Sequence, residues 1–135
     1  MRAELSRLRR LVGAQLVGSR PYRLLAPLDS DVDRVRRLLG SGAVAAALDR
    51  YPGAVLPRSG APGIVTARER LSALLRQAVL RSRRPELLLR YSELPEARDD
   101  AAVWQACLDR LPAGSSRRAA AAAQLLRLRP PSRTR

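Results

Sequence analysis

Apolar side chains recur at spacings of three and four along nearly the whole chain, and glycine or proline breaks the pattern about every ten to fifteen residues. That rhythm confines the polypeptide to short amphipathic helices, each needing a neighbour to cover its apolar stripe. In residues 2–13 the stripe is Leu5, Leu8, Leu11 and Val12, with Arg2, Ser6, Arg9 and Arg10 projecting from the other side and Gly13 placed to end the helix. Gln15 to Val17, the cluster Gly18-Ser19-Arg20-Pro21 and Tyr22 to Leu25 then read as a short hairpin or a lone strand. Pro21 cannot donate to a ladder, so the sheet is small or peripheral.

From Asp29 the pattern is helical throughout. Asp29, Ser30 or Asp31 can cap a helix with the stripe Val32, Val35, Leu38 and Leu39, stopped by Gly40-Ser41-Gly42. A second helix runs over 43–51, and 54–63 reads as an ordered loop. Thr66 and Glu69 have capping-box spacing ahead of a helix to Ser82 whose face is Leu71, Leu74, Leu75 and Ala78. Pro85 opens a helix to Leu94, Asp99 or Asp100 lies at the start of one ending near Leu111, and Ser115 or Ser116 can cap the last, over 117–128. Alanine runs at 43–47 and 119–123 allow close approach of helices. The expected fold class is mainly α, a stack of helical hairpins with one small β element near its start.

Composition decides which chemistry is open. All 26 basic residues are arginine, histidine and lysine are absent, and 12 acids leave a formal charge of +14. Without histidine or lysine there is no imidazole-activated nucleophile, no phosphate-loop lysine and no Schiff base. The carboxylates Glu69, Glu86, Glu93, Glu96, Asp99 and Asp100 fall at helix starts or beside arginines, where capping and surface pairing are their roles. No enzyme and no cofactor is expected. Cys107 is the single cysteine, so an internal disulfide and a cysteine metal cluster are both excluded, and a reducing cytoplasm fits best. Sharing a stripe with Trp104, Leu108 and Leu111, it reads as a small buried hydrophobe.

The cationic excess points to a polyanion. It is concentrated at the ends: 1–28 carries six arginines against Glu4, and 115–135 six against no acid. No signal peptide is visible, and purely apolar runs such as the five alanines 119–123 fall far short of the roughly 20 residues of a membrane span. A membrane surface is disfavoured because the first helix lacks interfacial aromatics. With four aromatics in the chain, single-strand stacking is poorly supported as well. The first 28 residues have the layout of a recognition helix that can enter a major groove and a ribbon whose arginines can reach phosphates, and equally that of an ordinary amphipathic helix followed by a hairpin.

"ELSRLRRLVG" followed by "SRPYRL" resembles the end of a winged helix-turn-helix of the OmpR/PhoB type. "DVDRVRRLLGSGAVAAALDRYPGAVLPRS" and "ARERLSALLRQAVL" are similar to the helical bacterial transcriptional activator domain of Streptomyces antibiotic regulatory proteins, and to the C-terminal region of actinobacterial GAF-containing regulators. The resemblance implies a recognition helix and wing over 1–28 (a partial winged helix), a tetratricopeptide-like activator region over 29–128 and a disordered basic tail over 129–135. It implies DNA contacts from Arg2, Ser6, Arg9 and Arg10 on the helix and Arg20 and Arg23 on the wing, with Tyr22 anchoring the last strand. Winged helices of that type carry a sheet and two helices before the recognition helix, so the chain is expected to be the C-terminal part of a larger regulator. Such a part is expected to bind double-stranded DNA weakly, and to engage a protein partner or a second copy through its helices. The alternative reading is a helical protein-interaction module with no DNA binding of its own.

Overall fold

The computed structural model describes residues 2–19, 21–27 and 29–128. The expectation of a disordered 129–135 tail lies outside the described residues. The chain is mainly helical, and it divides into two compact units, one running to Ser30 and the other beginning at Asp31.

The first unit is helix α1 (Arg2–Val12) followed by an antiparallel hairpin of β1 (Val17–Ser19) and β2 (Tyr22–Leu24). Gly13 ends α1 with φ +99°, its N–H donating to the Arg9 carbonyl at 3.0 Å. That positive φ lies in a backbone region that side chains avoid, which favours glycine at this position. The hairpin pairs Val17 with Leu24, Gly18 with Arg23 and Ser19 with Tyr22, and one further bond runs from the Leu25 N–H to the Leu16 carbonyl, 2.9 Å. Among the described residues of this unit, Val17 alone is a buried hydrophobe. Of the leucine stripe of α1, Leu5 is half-buried while Leu8, Leu11 and Val12 are exposed, Leu11 by 77%. Leu16, Tyr22, Leu24 and Leu25 are exposed too. One buried side chain is too little apolar surface to close a core.

The second unit is an array of six helices: α2 (Asp31–Gly40), α3 (Val44–Arg50), α4 (Pro62–Ser82), α5 (Pro85–Ser92), α6 (Ala101–Arg110) and α7 (Ser116–Leu128), with a 3₁₀ turn at Pro95–Ala97. Each helix packs on the next, and in the first two pairs each also packs on its counterpart, α2 on α4 and α3 on α5. This is the neighbour pattern of stacked helical hairpins. Fully or nearly fully buried Val35, Ala47, Leu71, Leu75, Val79, Leu87, Leu88, Tyr91, Val103, Cys107 and Ala121 form one continuous core through all six helices. Ala47 and Ala121, taken from the two alanine runs, have no exposed surface, consistent with their permitting close approach.

Local chemistry sets the helix ends. Proline stands at the first turn of α4 and α5, where its missing N–H costs nothing. Asp100 caps α6 by accepting from the Ala102 and Val103 amides at 3.1 and 3.3 Å. Ser115 does the same for α7 through the Arg118 amide, 3.2 Å. Two departures from the sequence reading stand out. Helix α4 begins at Pro62, one turn earlier than the Thr66 capping box predicts, so Thr66 lies inside the helix. Leu74, assigned to the buried face, is 47% exposed while Leu71 and Leu75 are buried.

Polar groups cross-link the array. The Tyr51 hydroxyl donates to Glu96 Oε1 at 2.5 Å and lies 3.2 Å from Ser72 Oγ, which ties α3 to α4 and to the 3₁₀ turn. The Arg68 guanidinium donates to the carbonyls of Pro57 at 2.8 Å and Ser59 at 2.7 Å, stapling the loop before α4 back onto that helix. Trp104 Nε1 and Gln124 Nε2 both donate to the Arg98 carbonyl at 2.9 Å. No helix among the described residues is long and apolar enough to cross a membrane.

Candidate nucleic-acid interface

Helix α1 carries Glu4 in its first turn and Arg9 and Arg10 in its last, the arrangement its dipole favours. It presents Ser6 and Arg10 to solvent. The hairpin that follows exposes Arg23 and Tyr22 on β2. Gly18 lies opposite Arg23 in the ladder, and a Cβ there would come within 3.3 Å of Arg23 Cγ, so the small residue leaves room for the arginine stem.

The six residues expected to contact DNA fare differently. Ser6, Arg9 and Arg10 come together with Gly13 and Ala14 around one open hollow of about 500 Å³ at the C-terminal end of α1. Arg23 stands apart on the hairpin, outside that lining. Arg9 is not on the fully exposed face: it is half-buried, and its Nε is shielded from solvent without a hydrogen-bond partner. The Arg2 side chain and all of Arg20 lie outside the described residues. Tyr22, expected to anchor the last strand, is exposed.

What this surface can do is bind anions. Among the described residues it holds arginine donors, a hydroxyl and backbone groups. No cluster of three or more metal-ligating side chains occurs among the described residues. Cys107 is buried in the helical array, where desolvation pushes its thiol pKa up and disfavours the reactive thiolate.

A second cationic surface escaped the sequence reading. Arg36 of α2 and Arg70 and Arg76 of α4 line one groove with Ala73, Leu74 and Gln77. The signal available was Leu74 itself, one turn from Arg70 and alternately readable as core or as surface.

Residues 84–130, covering α5 to α7, match the family described as "YTH3-like protein, third C-terminal helical domain". The chain is also similar to an uncharacterized 47.3 kDa protein in the thcA 5' region of the actinobacterium Rhodococcus erythropolis, with 41% identity over 111 residues. That match covers 82% of this chain, which spans about a quarter (25%) of the length of that relative. No solved structure matches.

Proposed function

We propose that the protein is a cytoplasmic transcription regulator, or a region of one, in which α1 and the hairpin contact duplex DNA and the helical array associates with another protein. The observation that carries this reading is the exposure of Ser6 and Arg10 on α1 together with Arg23 on the hairpin immediately after it. A helix of that size can enter a major groove, and an exposed arginine on a ribbon can reach a neighbouring phosphate. The formal charge of +14 favours the encounter. The resemblance to an OmpR/PhoB-type winged helix followed by an activator-type helical region supports the same division of labour.

Contact through phosphates makes affinity fall linearly with salt on logarithmic axes, by roughly one unit of slope per neutralised phosphate. Filter binding of the whole chain to a duplex across a salt series is expected to give weak binding with a steep slope. Arg10→Ala with Arg23→Ala is expected to reduce that slope by about two. A salt-independent affinity, or a slope untouched by both substitutions, overturns the reading. The alternative, a helical interaction module alone, draws its support from the half-burial of Arg9 and from the cationic groove of the array.

A further inference from the structure

The groove between α2 and α4 combines two features that are seldom left open together on a surface. Its lining is Arg36, Arg70, Ala73, Leu74, Arg76 and Gln77, which contains three guanidinium groups and no acid. Its volume is about 580 Å³, and Leu74 lies within it about half exposed. Arg76 is held at the rim by Asp100, which engages its Nε and its Nη2, the latter at 2.9 Å. No ion pair or hydrogen bond engages the side chains of Arg36 or Arg70 among the described residues. The groove therefore has one fixed cation, two uncommitted ones and an apolar floor.

We propose that this groove docks an acidic peptide segment of a partner protein, carrying carboxylates beside one leucine-like side chain. The proposal deepens the association half of the function given above and does not depend on DNA contact. Charge complementarity selects the carboxylates, because arginine binds them through a planar fork of donors. Leu74 selects the apolar side chain, and it separates this ligand from a nucleic acid: a sugar-phosphate backbone satisfies the arginines but leaves Leu74 wet. Spacing agrees. Arg70 and Leu74 are neighbours on one helical face, about 5 to 6 Å apart at Cβ. Side chains two positions apart on an extended peptide are separated by about 6 to 7 Å, so a carboxylate and a leucine can meet both at once.

Fluorescence anisotropy of the full chain with a labelled polyglutamate peptide bearing one central leucine tests this, with a serine-centred twin as control. The leucine peptide is expected to bind about tenfold more tightly than its twin. Leu74→Ser is expected to remove that difference. Arg36→Glu with Arg70→Glu is expected to weaken the leucine peptide at least about tenfold, whereas Arg58→Glu with Arg117→Glu, an equal change of charge at exposed sites elsewhere, changes it less than about twofold. Equal losses from both double variants would reduce the effect to net charge and overturn the proposal. Loss of duplex binding by the groove variants, with duplex displacing the peptide, would overturn it in favour of a nucleic-acid surface. Arg10→Ala with Arg23→Ala leaves peptide binding unchanged, so failure of the DNA reading and failure of this one are read separately.

Discussion

The carboxylate of Asp100 is at once the N-cap of α6 and the ion-pair partner of Arg76 on α4, with one oxygen bonded to the Ala102 and Val103 amides and both engaged by the guanidinium. Local and tertiary structure meet in that one side chain. Arg76 is 41% exposed, so solvent screens the ion pair, and the cap contributes beside it. Asp100→Ala is expected to cost about 1 to 3 kcal/mol. Asp100→Asn keeps a capping oxygen and is expected to cost less than about 1 kcal/mol. Urea denaturation of both variants checks the ordering.

The same residue sets an acid limit. The Arg76 guanidinium, with help from the two amides, holds the Asp100 carboxyl below the ordinary aspartate range. A group with a depressed folded pKa stabilises above its unfolded value and loses that contribution as pH falls through the folded one. Thermal melts are therefore expected to show Asp100→Asn flattening the loss of stability below about pH 4. An unchanged acid limb would place the responsible carboxylate elsewhere.

The alkaline limb belongs to buried tyrosines. Burial pushes the Tyr91 phenol up to about 12, and burial with the bond to Glu96 raises Tyr51 further. A raised folded pKa contributes fully below the unfolded value of about 10 and is lost as pH climbs through the folded one. Tyr91→Phe is expected to flatten the decline of the melting temperature in that window. Tyr51→Phe is expected to cost about 1 to 2 kcal/mol at neutral pH as well, because it leaves Glu96 and Ser72 without their partner.

Leucines divide by unit and by face. Leu75→Ala empties a fully buried site and is expected to cost about 2 to 5 kcal/mol. Leu11→Ser and Leu74→Ser act on exposed side chains and are expected to stay within about 0.5 kcal/mol. Chemical denaturation of the three separates core from surface, and a large loss at Leu74 would mean that it packs.

Arg83 closes α4 in the left-handed region, φ +55°. A side chain there carries a steric penalty that glycine escapes. Arg83→Gly is expected to raise stability by about 0.5 to 1 kcal/mol, read as a higher melting temperature.

Much of the helical order was legible because it is local. Asp100, Pro85, Ser115 and Gly13 announce helix ends through capping chemistry contained within a few residues. The start of α4 was misplaced because Gly60, Gly63 and Pro57 read as loop and obscured the first-turn signal of Pro62. Leu74 was misread because a stripe two residues wide looks like a stripe three residues wide until a neighbouring helix selects its edge. The candidate site was legible in its residue types and less so in its geometry. Helical spacing places Arg9 outward beside Ser6 and Arg10, whereas in the fold it is half-buried. The Arg76–Asp100 link joins positions 24 residues apart, and the α2–α4 groove exists only where two helices meet. Neither is a property of any window of sequence.

Helix α6 has a carboxylate at one pole and, at the other, the Arg118 guanidinium reaching from α7 to the carbonyls of Leu108 and Leu111, the latter at 3.0 Å. Its dipole is thus neutralised at both ends by charges of the sign each end demands. Deuterium exchange at the two ends of α6 is therefore expected to be slower than at helix ends that lack such partners.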